Sequence, residues 1–132
     1  AIKVDDYLHN FQFTHAFFKN CVPVSDHLKS LNPILKKLNI ASIVRIKANL
    51  QTVTNTIVQH SFHQDFSDVT CTTAIFYVNT NNGVTIFEDG TTVNSVENRL
   101  VQFNSKLKHT GTTCTDKKFR CVINLNYFET DR

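Results

Sequence analysis

Apolar and polar positions alternate over residues 44–51, where Val44, Ile46, Ala48 and Leu50 interleave with Arg45, Lys47, Asn49 and Gln51. A period of two sends successive side chains to opposite faces, so this segment predicts a half-buried β-strand beginning near Ala41. The same reading predicts further short strands over 56–63, 71–79, 84–87, 91–93, 99–104 and 119–128. Asn82-Gly83 and Asp89-Gly90 supply turns between them.

Residues 1–40 follow a different pattern. Leu28, Leu31, Leu35 and Leu38 recur at spacings of three and four, as on one helix face, with Ser25-Asp26 as a fitting N-cap. Pro33 divides this run into two short helices, the second capped by Asn32. The phenylalanine-rich stretch 5–20 predicts one more helix, packed against a sheet. Many short strands with helices only at the front predict a mainly β fold: a double-stranded β-helix (jelly roll) with supporting N-terminal helices.

At 132 residues the chain is expected to form one domain over 1–132, with helical support in 1–40 and a jelly-roll core in 41–132. No apolar run is long enough to span a bilayer and no signal-peptide pattern opens the chain, so no membrane partner and a cytoplasmic location are expected. A net charge of +3, with Lys36-Lys37 and Lys117-Lys118 read as solvated pairs, argues against a nucleic-acid partner. Cys21, Cys71, Cys114 and Cys121 lack CxxC spacing, which argues against a thiolate zinc site. Free thiols are expected, with a Cys114–Cys121 bridge as the other option.

The candidate chemistry sits in His63-Gln64-Asp65, His109 and Arg120. On a strand, His63 and Asp65 point the same way, whereas His60 should face the other side and is read as structural. A third ligand must come from elsewhere, and His109 suits a later strand returning beside an earlier one. Two imidazoles and one carboxylate can occupy one face of a ferrous ion and leave the opposite positions open. Arg120 opens a strand with Val122, Asn124 and Asn126 on its own face and Cys121, Ile123 and Leu125 on the core face. A permanently charged guanidinium can anchor a dicarboxylate co-substrate, and a plain salt bridge is its other reading. By parity, Asn124 and Asn126 would line the same cofactor-binding pocket.

From about Gln51 to Phe128 the chain resembles the Fe(II)- and 2-oxoglutarate-dependent dioxygenases of the prolyl 4-hydroxylase type, especially their small phage-encoded members. The resemblance rests on His63-Gln64-Asp65, Thr73-Ala74-Ile75-Phe76-Tyr77-Val78-Asn79, Asn82-Gly83-Val84-Thr85-Ile86-Phe87, Asn98-Arg99-Leu100-Val101-Gln102-Phe103, His109 and Phe119-Arg120. It implies that His63, Asp65 and His109 bind Fe(II) and that Arg120 binds the far carboxylate of 2-oxoglutarate. Tyr77 matches a tyrosine that assists there, an ordinary strand aromatic being the other reading. It further implies O2 as co-substrate, ascorbate as an optional reductant, and succinate and CO2 as products. The implied substrate is a prolyl residue of a protein or peptide, in the host cytoplasm if the protein is phage-encoded. A nucleic-acid or small-molecule oxygenase, a zinc hydrolase built on the same three ligands and a non-catalytic metal-binding jelly-roll module are the alternatives. The chain departs from the family where Asn82 replaces one of a glycine pair and Asn98 replaces the glycine before Arg99.

Overall fold

A computed structural model describes residues 2, 3 and 12–131. Its strands are β1 (Ile2–Lys3), β2 (Phe13–Lys19), β3 (Val22–Pro23), β4 (Ile40–Thr52), β5 (Val58–Gln59), β6 (Thr72–Tyr77), β7 (Val84–Phe87), β8 (Thr92–Asn94), β9 (Leu100–Asn104), β10 (His109–Gly111) and β11 (Phe119–Glu129). One antiparallel sheet has the order β3-β2-β4-β11-β6-β9, a second β10-β7-β8, and β1 pairs with β5 in parallel. The chain crosses between the two large sheets from β6 to β7 and again from β8 to β9, as in a jelly roll.

The alternation along β4 and β11 sets the layering. Ile46 and Ala48 from β4 join Ile123, Leu125 and Tyr127 from β11 and Ala74 from β6 in one apolar cluster. Leu28, Leu31, Ile34, Leu35 and Leu38 cover this face, as their helical spacing anticipates. They do so from a 3₁₀ turn (Leu28–Leu31) and one four-residue helix, α1 (Asn32–Leu35), with Pro33 in its first turn.

The expected helix over 5–20 is corrected: residues 4–11 lie outside the described residues, and 13–19 form β2. β2 pairs antiparallel with β4 and buries Phe17, so edge pairing decides the conformation of this aromatic stretch. Among the described residues helical support is thus the 3₁₀ turn and α1. The predicted strand over 56–63 shrinks to β5 and a single bridge at His63.

Asp89-Gly90 closes the β7–β8 hairpin, with Gly90 at φ 93° and Asp89 Oδ1 accepting from the Thr91 amide at 2.9 Å. Asn98 sits at φ 70°, a left-handed conformation that asparagine tolerates almost as glycine does, which accounts for the departure before Arg99. All four cysteines are free, Cys71 and Cys114 being buried. No described helix is long and apolar enough to cross a membrane.

Candidate metal centre

His63 and His109 face each other across an antiparallel bridge. Each amide donates to the other's carbonyl at 2.9 Å, a doubly bonded pair that fixes both Cα positions. Their ring centroids lie 4.6 Å apart. His109 is buried, edge-on to Phe103 at 4.8 Å, and Nδ1 donates to the Leu107 carbonyl at 3.0 Å. That bond places the imidazole proton on Nδ1 and leaves the Nε2 lone pair free to ligate.

Asp65 completes the group. Its Oδ1 lies 3.7 Å from His63 Nε2 and 3.6 Å from His109 Nε2. Its Oδ2 accepts from Thr73 Oγ1 at 2.9 Å and from Asn126 Nδ2 at 2.8 Å, and the same Asn126 amide also donates to Thr73 Oγ1 at 2.9 Å. Thr73 and Asn126 are directly opposite on β6 and β11, and both are fully buried. One carboxylate oxygen is therefore held by the sheet while the other is presented to the two imidazoles.

The three potential ligand atoms all lie within 4.8 Å of one another. Metal bonds of about 2.1 Å put neighbouring ligands roughly 3–3.4 Å apart, and the two Asp65–imidazole separations of 3.7 and 3.6 Å lie within a few tenths of an ångström of that spacing. Two neutral nitrogens and one carboxylate oxygen, with the carboxylate and His109 each held from behind, fit a ferrous ion. His63 stands at the rim with its side chain 56% accessible. Even so, lost solvation holds its imidazole below the ordinary value; the His109 charge adds to this and Asp65 opposes it.

The triad opens onto a cavity of about 350 Å³ between the two large sheets. Arg120, Val122 and Asn124 line it from β11, Arg45, Lys47, Asn49 and Gln51 from β4, and Thr85 and Gly111 from the smaller sheet. Arg120 is 5% exposed, and burial holds its guanidinium below its ordinary pKa. Its partners are hydroxyls: Nε donates to Ser95 Oγ at 3.1 Å and Nη2 to Thr85 Oγ1 at 3.3 Å. Among the described residues no carboxylate pairs with it.

Two of the three glycines make room for this side chain. A Cβ on Gly111 would come within 3.1 Å of Arg120 Nη1, and one on Gly83 within 2.6 Å of Arg120 Cδ. Ser95, Thr85, Thr73 and the two glycines escaped sequence reasoning. For the glycines alone a signal existed, in their scarcity.

The remaining expectations resolve individually. Tyr77 is fully buried, its hydroxyl 2.7 Å from Thr85 Oγ1, and the Arg120 guanidinium carbon lies 6.0 Å from its ring centroid. Asn124 lines the cavity, whereas Asn126 stands behind Asp65. His60 is corrected: it lines the same cavity as His63, because the chain beyond Gln59 leaves regular strand geometry and parity no longer applies. Gln51 Nε2 donates to His60 Nε2 at 2.6 Å.

No protein-family model matches the chain, and no curated protein matches it. Among solved structures, a cupin domain from Bordetella pertussis Tohama I matches at a TM-score of 0.55 and 7% identity, over 88% of this chain and 92% of that one. A prolyl-4-hydroxylase from Pseudomonas putida matches at 0.56 and 14% identity, over 88% and 68%. An RmlC-like cupin from Desulfovibrio desulfuricans matches at 0.52 and 8%, over 87% and 81%. At such identities the likeness is one of fold: a cupin-like, jelly-roll-type arrangement carrying a His-His-Asp metal-binding triad.

Proposed function

We propose that this protein is an Fe(II)- and 2-oxoglutarate-dependent oxygenase that hydroxylates a prolyl residue of a protein or peptide. The overall reaction consumes O2 and 2-oxoglutarate and releases succinate and CO2. The observation that carries this reading is Arg120, a buried guanidinium in the wall of the triad's own cavity, whose partners among the described residues are neutral hydroxyls. Burying an unpaired cation costs several kcal/mol, so such a site favours an anionic guest. A zinc hydrolase or a bare metal-binding module has no need of that cation.

In this reading His63, Asp65 and His109 hold the ferrous ion, which supplies the oxygen activation when bound. Arg120 grips the far carboxylate of 2-oxoglutarate through Nη1 and Nη2. Ser95 and Thr85 fix the plane of the guanidinium, and Tyr77 supports Thr85 from behind. Thr73 and Asn126 keep the Asp65 carboxylate turned toward the imidazoles. The low dielectric around Arg120 strengthens its pairing with a carboxylate relative to water.

The test is incubation of iron-loaded protein with 2-oxoglutarate and proline-containing peptides, following succinate and a gain of one oxygen in the peptide by mass. Succinate formation that vanishes in Asp65→Ala supports the oxygenase. Its absence at every iron and 2-oxoglutarate concentration overturns it, and oxygen gain on some residue other than proline overturns the prolyl assignment.

A further inference from the structure

The cavity holds more positive charge than one co-substrate uses. Arg45, Lys47 and Arg120 line it, and Asp65, committed to the metal, is the only carboxylate among its described lining residues. Arg45 and Lys47 lie two apart on β4, opposite Asn126 and Asn124 of β11. Both therefore project from the sheet face that carries the metal ligands' supports. Neither has a carboxylate within ion-pair distance among the described residues.

Arg45 is held in place. Its guanidinium carbon lies 4.7 Å over the Phe66 ring, just past Asp65, and its Nε is buried without a hydrogen-bond partner. Stacking on Phe66 limits the freedom of the guanidinium, which lowers the cost of ordering it on a ligand. Lys47 sits closer along the strand to Asn49 and Gln51, half-buried, with its ammonium disfavoured by burial and by Arg45 and favoured by Asp65. Two cations held side by side repel each other, and with the Asp65 charge committed to the metal an anion between them relieves that repulsion.

We infer that the molecule oxidised beside 2-oxoglutarate carries a carboxylate, and that Arg45 and Lys47 bind it. This rests on the oxygenase reading and narrows its substrate to an acidic one: a peptide with an acidic side chain near the reacting residue, or a small carboxylic acid. Arg120 and the Arg45–Lys47 pair are distinct anion sites, since Arg120 stands opposite Gln51 at the far end of the shared register.

The experiment uses the full chain loaded with Zn(II), which does not turn over, and saturated with 2-oxoglutarate. Calorimetric titration compares capped glutamyl-proline with capped glutaminyl-proline, and glutarate with glutaramide. At least one acid should bind tenfold or more tightly than its amide, and which one does so names the source of the carboxylate. In Arg45→Gln/Lys47→Gln that preference should fall to within twofold while 2-oxoglutarate affinity holds. If the double variant fails to fold, the single variants should each lose at least threefold. Arg45→Lys/Lys47→Arg, which keeps both charges, should retain the preference.

Equal binding of acid and amide by the parent chain overturns the inference, as does a preference that survives in the double glutamine variant. Loss of 2-oxoglutarate affinity in that variant also overturns it, because the pair then serves the co-substrate. A parent chain that prefers the acids but does not bind 2-oxoglutarate refutes the oxygenase reading and still supports a carboxylate site at Arg45 and Lys47.

Discussion

Replacing Arg120 with methionine removes the buried guanidinium and keeps an unbranched stem of similar reach. Were Arg120 half of a buried ion pair, the change would cost about 3–5 kcal/mol, because a bare carboxylate would remain. Here it leaves only the hydroxyls of Ser95 and Thr85, and Thr85 keeps its contact with Tyr77. Two charge-assisted hydrogen bonds to hydroxyls are lost, at about 1.5–3 kcal/mol each. Against this stands relief of several kcal/mol of desolvation. The two nearly cancel, so the metal-loaded variant without 2-oxoglutarate should lie within about 2 kcal/mol of the parent in stability.

With co-substrate the sign reverses. Hydrogen bonds to a charged group contribute about 1.5–3 kcal/mol each, so losing a forked pair, about 3–6 kcal/mol, should weaken 2-oxoglutarate binding roughly 100-fold or more. At a concentration of 1,000 times the parental Kd, the parent gains about 4 kcal/mol and the variant about 1.4 kcal/mol or less. Urea unfolding of the zinc-loaded proteins, with and without 2-oxoglutarate, measures both quantities. A loss of 3 kcal/mol or more without ligand, joined to an unchanged increment with ligand, would refute the reasoning and make Arg120 a structural cation.

Three further outcomes are expected. Thr73→Val and Asn126→Leu, which strip donors from Asp65 Oδ2, should each lower metal affinity about 10- to 100-fold by calorimetry, and unchanged affinity would count against a positioning role. Gly111→Ala places a methyl 3.1 Å from Arg120 Nη1, so 2-oxoglutarate binding should weaken several-fold while metal affinity is kept; equal losses of both would mean general misfolding. His60 and His63 both titrate below their ordinary value, chiefly through burial, so the folded state binds their protons more weakly than the unfolded chain. Stability of the metal-free protein should be greatest above the unfolded pKa of about 6.5 and be lost as pH falls through it toward the folded values. His60→Gln/His63→Gln should flatten that profile in urea titrations at pH 5 and pH 7.5, and an unchanged slope refutes the assignment.

The sequence by itself determined what depends on neighbours along the chain. Alternation in 44–51 and 119–128 assigned Ile46, Ala48, Ile123 and Leu125 to one face and Arg120, Val122 and Asn124 to the other, as observed. Leucine spacing gave the covering turns, and Asp89-Gly90 gave the hairpin. His63 and Asp65, two apart, do serve one site, although the connecting chain is barely a strand.

Tertiary structure decided everything that required a second segment. A period of two separates the faces of a strand but does not say what covers each, so the polar face of β4 reads as solvated when it is a cavity wall. The stretch 13–19 became a strand because β4 offered an unpaired edge. His109 joins His63 and Asp65 because its backbone pairs with His63, and Asn126 came to support Asp65 because β11 lies beside β6. Such partners are set by non-local hydrogen bonding and packing, which local propensity does not encode.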